Sequence, residues 1–357
     1  MQNSDMASWK VPWKGIIAAL GCGIFSLIMV FSKVANPREI LQELENYPTS
    51  YFLLALSCVV LSWGIDALRI RALTRATGHH IEWWKLTVAL AAANFLTLVT
   101  PFAGGGGALI IYVLYRRGVS APRASAVVTA GGMAGQLSLA ALSLIVFSLL
   151  DQVPPRVGKF LIYVRIAFVL YMGVLIALLY LASRSTWVRK WLQKKKIFDQ
   201  EEDQSFAVKT GQWVNEFQAT YKQIFSEKGR YFARSLAAAF AYYVVYYLAS
   251  FTLLTGFGVS EGILRYGVSV LLGVAPVFSP IPGGAGTAEL VAYLVLEQTL
   301  PKHALGTFIV LWRTVVFYIP IIIGGSIFTL LVFRWAAAKR NLSSESVILS
   351  EENDHNR

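Results

Sequence analysis

Ser279-Pro280-Ile281-Pro282-Gly283-Gly284-Ala285-Gly286-Thr287-Ala288-Glu289 lies between two apolar runs, each too short to span a membrane. Earlier in the chain, Thr100-Pro101-Phe102-Ala103-Gly104-Gly105-Gly106-Gly107 interrupts apolar sequence in the same way. The two stretches are in register. A shift of 179 residues carries Pro101 to Pro280, Gly104 and Gly105 to Gly283 and Gly284, Gly107 to Gly286, and Pro122 to Pro301. Spacing held over a whole hairpin indicates a duplicated structural unit rather than two chance glycine runs.

The rest of the chain places these breaks in a membrane. Of 357 residues, 56% are hydrophobic and 15% charged, with mean hydropathy +0.55. A soluble domain carries about 25% charged residues, so the composition is that of an integral membrane protein. The formal net charge is +12, which in a soluble protein would suggest nucleic acid. Here the basic residues fall mostly in short segments between apolar runs, which points to topology signals and anionic headgroups and away from nucleic acid. Cys22 and Cys58 both lie in apolar runs, so free thiols are expected. No ligand spacing connects His79, His80, His303 and His355, and neither a metal site nor another cofactor is expected.

The apolar run Gly15 to Ala35 has no small-residue cleavage site after it and reads as a retained span. A net acidic segment, Asn36 to Ser50, leads to a second span over Tyr51 to Ile70. A basic loop follows, in which Trp83 and Trp84 read as an interfacial anchor. Leu86 to Val99 and Ala108 to Tyr115 flank the first break, and neither approaches the ~20 residues of a crossing, which suits a re-entrant hairpin. Spans follow at Ala124 to Leu150, Phe160 to Ala182 and Tyr231 to Thr255. Leu264 to Phe278 and Thr287 to Leu300 flank the second break, and Ala304 to Phe333 is the last span. Between the halves, Arg184 to Arg230 interleaves ten basic residues and six acids with Trp187, Trp191, Trp213 and Phe217. It reads either as amphipathic helices on the headgroups or as a solvated linker.

The expected architecture is therefore an all-α polytopic membrane protein with about six full spans and an inverted repeat of two re-entrant broken-helix hairpins. Its parts are a first membrane half over 1–183 with a hairpin at 86–116, a basic linker over 184–230, and a second half over 231–335 with a hairpin at 264–300. A disordered tail over 336–357 completes it. Basic loops put both termini in the cytoplasm and the chain in the cytoplasmic (inner) membrane. An odd number of crossings separates the breaks, so the two hairpins enter from opposite sides.

A break at mid-membrane exposes backbone groups that hydrocarbon cannot satisfy, so it must be packed in protein or line a wet cavity. Each break is followed by a helix start, whose unpaired N–H groups and positive dipole end suit an anion such as phosphate. Paired broken helices from inverted repeats are the pattern of alternating-access carriers. The competing reading is close helix packing through small residues. The candidate binding residues are Pro101 and Gly104, Gly105, Gly106 and Gly107 in the first break, and Pro280, Pro282, Gly283, Gly284 and Gly286 in the second.

Charges within the apolar runs are few. Glu289 falls in the first turn after the second break and Arg313 about mid-span in the last helix. Either Arg313 holds a phosphate while Glu289 tunes it or carries a proton, or the two form an ion pair fixing the hairpin to the last span. Asp66 and Arg69 read as a structural pair near a span end, and Arg165 and Arg265 as interfacial. No nucleophile elbow, phosphate-binding loop, metal-binding His-Glu helix or paired acidic motif appears, so no catalytic residue is assigned.

Pro280-Ile281-Pro282-Gly283-Gly284-Ala285-Gly286-Thr287-Ala288-Glu289, followed by Arg313 and Gly324-Gly325, resembles the lysylphosphatidylglycerol synthetase transmembrane-region family. The first half matches through Pro101, Gly104, Gly105, Gly107 and Arg117-Gly118-Val119-Ser120, and the resemblance covers most of residues 10 to 335. It implies a flippase-like domain of the multiple peptide resistance factor type, which moves aminoacylated phospholipid between leaflets. No aminoacyl-transferase or glycosyltransferase domain follows residue 335, so lipid synthesis by this chain is not expected. Relatives often carry charged residues in the span after the first hairpin, where this chain has Gly131-Gly132 and no charge between Arg123 and Asp151. The resemblance thus leaves the head group open.

The function expected is translocation of an anionic or phosphate-bearing lipid, either a phospholipid or a polyprenyl-phosphate lipid. A membrane-embedded enzyme acting on a lipid phosphate and a non-transporting scaffold are the rivals. A homo-oligomer or an envelope lipid-synthesis enzyme is the expected kind of protein partner.

Overall fold

The computed structural model describes residues 37–100, 105–149, 166–177, 203–259, 262–274 and 281–355, with the single residues Ile17, Gly21 and Ile162. The side chains of 203–210 and 338–355 lie outside that description. So do the expected first span apart from Ile17 and Gly21, both ends of the Phe160-to-Ala182 span with Arg165, and Pro101, Gly104 and Pro280.

Every regular element among the described residues is helical. Four helices are long and apolar enough to cross a membrane: Thr49–Ala76, Ala121–Ser148, Gly229–Gly256 and Lys302–Ala337. In chain order the helices are α1 (Pro37–Asn46), α2 (Thr49–Ala76), α3 (Trp83–Val99), α4 (Gly105–Arg116) and α5 (Ala121–Ser148). They continue with α6 (Ile166–Ala177), α7 (Asp203–Lys222), α8 (Gly229–Gly256), α9 (Gly262–Val274) and α10 (Thr287–Leu296). The last two are α11 (Lys302–Arg313) and α12 (Ile319–His355).

The 179-residue spacing of the breaks recurs in the helix boundaries. Thr49 and Ala76, the ends of α2, shift to 228 and 255, and α8 runs from Gly229 to Gly256. Trp83, which starts α3, shifts onto Gly262, which starts α9. The boundaries of α4 and the start of α5 map within three residues onto α10 and α11.

The equivalent helices α2 and α8 form the largest interface of the fold. They run antiparallel. At one end the Tyr47 hydroxyl donates to the Leu253 carbonyl at 2.9 Å, and at the other Lys228 Nζ donates to the Ala76 carbonyl at 2.8 Å. Around this seam, α3 turns back as α4 across the first break, and α12 packs along α3. That crossing is close because Gly324 has no side chain: a Cβ there would lie 2.4 Å from the Ala91 carbonyl oxygen. The Trp83 indole, read as an interfacial anchor, donates to the Gly64 carbonyl at 2.7 Å and ties α3 to α2.

The basic stretch between the halves and the C-terminal tail are both helical where they are described. Part of the basic stretch between the halves is the helix α7, packed on α5 rather than free in solvent. Glu216 holds it there, 2.8 Å from both Ser120 Oγ and Arg123 Nε. Four-residue spacing also puts Trp213, Phe217, Tyr221 and Phe225 on one face, where successive rings meet at 5.6, 5.8 and 4.6 Å. The tail expected to be disordered continues α12 to His355. Between Lys339 and His355 there is neither glycine nor proline, so nothing breaks a helix already nucleated by the span.

The last span is not a plain α-helix. Pro320 has no N–H to donate back to Val316, and the turn before it, Thr314–Tyr318, widens to a π-helix.

Candidate functional site

The two breaks meet at one cavity of about 430 Å³. Gly106 and Gly107 line it from the first break, Gly283 and Gly284 from the second, and Arg313 from α11.

Hydroxyls hold the first break. Thr100 Oγ1 donates to the Leu96 carbonyl at 2.6 Å and accepts the Gly105 N–H at 3.0 Å, so the amide that opens α4 is satisfied within the turn. Thr97 similarly donates to the Ala93 carbonyl at 2.9 Å. The helix arms approach so closely that a Cβ on Gly106 would lie 2.2 Å from Thr97 Oγ1 and 2.8 Å from the Ala93 oxygen.

Left-handed glycines and an ion pair hold the second break. Pro282 opens a short 3-10 turn, and Gly283 has φ 62° inside it. A side chain there would be strained in backbone and would also meet the Phe317 ring at 2.0 Å. Glu289 sits in the first turn of α10 and accepts the Gly286 N–H at 2.8 Å through Oε2. Its Oε1 lies 2.8 Å from Arg313 Nε, with both side chains almost sealed, at 6% and 2% exposure. Arg313 Nη1 donates to the Gly283 carbonyl at 3.0 Å, and its guanidinium lies 4.4 Å from the centre of the Phe317 ring. Nη2 is buried and has no hydrogen-bond partner among the described residues. The ion-pair geometry anticipated for Glu289 and Arg313 is therefore present, and one edge of the guanidinium is left unused.

Two features of the wall were not read as site residues. Asp66 and Arg69 line the cavity rather than only securing a span end. Their pair is bidentate, with Nε–Oδ1 at 2.5 Å and Nη2–Oδ2 at 3.1 Å. Gly131 makes room for it, since a Cβ there would lie 3.2 Å from Arg69 Nη1. Gly131, in the stretch of α5 that carries no charge after Arg123, thus faces a charge carried by α2. The second feature is Tyr242-Tyr243-Val244-Val245-Tyr246-Tyr247 on α8, all four of whose tyrosines line the cavity. Pairs repeating at four-residue spacing on one helix face were the available signal. Tyr247 packs flat against α9, where a Cβ on Gly273 would lie 2.0 Å from its ring.

Of the sequence-derived candidates, Gly106, Gly107, Gly283, Gly284 and Arg313 line the cavity. Gly105, Gly286 and Glu289 act one step behind, in the turns and the ion pair just described. Pro101, Gly104 and Pro280 lie outside the described residues. Chemically, the wall offers glycine backbone, hydroxyls and one unused guanidinium edge. Each of its two arginines already faces a carboxylate, so it supplies directed donors rather than a large net charge.

No curated protein matches the chain. The family described as lysylphosphatidylglycerol synthase TM region matches residues 17–324, most of the sequence. The chain belongs to that family.

Proposed function

We propose that the chain is a lipid translocase of the cytoplasmic membrane that carries a phosphate-bearing head group past the cavity between the two breaks and leaves the lipid chemically unaltered. The observation that carries this reading is the convergence of both glycine breaks and Arg313 on one cavity. A volume of about 430 Å³ suits a small polar group, while acyl chains remain outside in hydrocarbon. Phosphate oxygens would meet Arg313 Nη2 and the glycine-rich helix starts. Because both arginines are already neutralised, the phosphate is held by a few directed bonds and is released again, as conduction requires.

The antiparallel packing of the equivalent helices α2 and α8 supports an inverted repeat. On that reading α3 with α4, and α9 with α10, are re-entrant hairpins entering from opposite sides, and both termini are cytoplasmic.

Leaflet accessibility of labelled anionic phospholipids in proteoliposomes tests the proposal. Protein-dependent movement should be head-group selective, fall at least tenfold in Arg313→Gln, and return lipid of unchanged mass. A lipid product of altered mass would instead indicate an enzyme. Absence of movement across anionic phospholipids and polyprenyl phosphates would leave a scaffold.

A further inference from the structure

A second groove, separate from the cavity, opens where the C-terminal end of α2 meets the N-terminal end of α8. Arg71, Arg75, Arg234 and Tyr231 line its outer end, and its volume is about 340 Å³. Three guanidiniums sharing one groove repel unless an anion joins them. Among the described residues, none of the three has a carboxylate within ion-pair distance. The Nε atoms of Arg71 and Arg75 are sealed from solvent without a hydrogen-bond partner. Tyr231 backs the cluster, with the guanidiniums of Arg230 and Arg234 at 5.0 and 5.7 Å from its ring centre. Lys228, by contrast, is committed to the Ala76 carbonyl.

We propose that this groove binds the phosphate of an anionic phospholipid, held as a bound lipid across the α2–α8 seam. Guanidinium forks match phosphate oxygens in pairs, which explains arginine at all three positions. The source of the phosphate follows from the other end of the groove. Along α2 the lining runs inward as Arg75, Ala72, Arg71 and Leu68, and along α8 as Tyr231, Arg234 and Ala238, so the deepest residue on each helix is apolar. Leu68 lies three residues beyond Arg71, and Ala238 four beyond Arg234, so each is roughly 5 Å deeper along its helix than the nearest arginine. Leu68 is 44% exposed, and the two alanines keep the slot open. A cationic mouth leading to an apolar slot fits an amphiphile, whereas free phosphate would use only the mouth.

The test is native mass spectrometry of the full-length protein released from detergent, titrated with phosphatidylglycerol, phosphatidylcholine or inorganic phosphate. A Glu289→Gln/Arg313→Gln background removes the cavity arginine without leaving a lone buried carboxylate, so this experiment does not depend on the translocase reading. Phosphatidylglycerol should be retained in preference to phosphatidylcholine. Replacing Arg71 and Arg75 together by Gln should weaken retention roughly tenfold or more, and restoring charge with Lys at both should recover part of it. Arg234→Gln, at an exposed residue that does not bear on folding, should weaken retention a few-fold. Arg116→Gln with Arg117→Gln, exposed cations elsewhere, should leave it unchanged. Wild-type retention in the Arg234 and double variants, equal retention of phosphatidylcholine, equal loss in the Arg116/Arg117 control, or displacement by inorganic phosphate at matched concentration would each overturn the proposal.

Discussion

The two halves build equivalent helices at one spacing and equip them differently. In the first half the cavity's charges sit on α2, at Asp66 and Arg69, and the equivalent positions on α8 are Val245 and Leu248. In the second half Glu289 and Arg313 carry the charge, and their equivalents in the first are Ile110 and Ala134. One break is tied by threonine hydroxyls and the other by a sealed ion pair. The shared 179-residue spacing thus goes with where the backbone breaks, while the charges differ between the halves. Each half contributes one neutralised pair, from elements that are not equivalent.

Breaking the sealed pair should expose this asymmetry most strongly. Arg313→Ala leaves Glu289 buried without its cation and should cost about 3–5 kcal/mol, seen as a large fall in thermal midpoint of the detergent-solubilised protein. Glu289→Gln combined with Arg313→Gln should recover most of that loss. A cost no larger than that of Arg69→Ala would abolish the distinction between the halves.

Next come the glycines of the second break. Gly283→Ala combines left-handed strain with overlap on the Phe317 ring and should cost about 2–4 kcal/mol. Gly286→Ala has the same backbone sign, but no atom lies within 4 Å, so strain alone should cost about 1–2 kcal/mol. Equal losses at the two would remove the Phe317 contact from the argument.

The first break should be milder and governed by proximity. Gly106→Ala should cost about 1–3 kcal/mol through Thr97 and the Ala93 carbonyl. Gly107→Ala should stay within about 0.5 kcal/mol, because its nearest neighbour would be Val128 at 3.6 Å. A Gly107 effect matching that of Gly106 would mean that the helix start itself, rather than its contact with α3, is sensitive. Asp66→Asn should be similarly modest in stability, about 1–2 kcal/mol, since the pair is partly exposed. Its effect on translocation should be the larger one, read in the proteoliposome assay as a reduced rate at near-native thermal midpoint.

Much of this was legible in the sequence for a physical reason: glycine and proline mark backbone geometry directly, and hydrocarbon length limits what an apolar run can do. The 179-residue spacing read from the glycines and prolines recurs in the starts of several helices of the two halves. Glu289 and Arg313 stood out because ionisable residues are rare at such depth. Asp66 and Arg69 were equally ionisable but lay near a basic loop, where proximity to the interface offered a simpler explanation. The tyrosines of α8 were hidden by type, since an aromatic face on an apolar helix is ordinarily core. Only the fold shows that this face looks onto the two breaks. Packing of α7 on α5 was equally hidden, because Glu216 finds Ser120 and Arg123 across 96 and 93 positions of chain.

The π-turn at Thr314–Tyr318 acts as a phase shifter. In an uninterrupted α-helix Arg313 and Gly324 would lie about 20° apart around the axis, whereas one residue absorbed in the wide turn separates them by roughly 80°. The same rod can then turn Arg313 toward the second break and Gly324 toward α3. Deleting a single residue from 314–318 would regularise the helix and yet put its two contacts out of step. That segment is one where the chain's length, more than its chemistry, is under constraint.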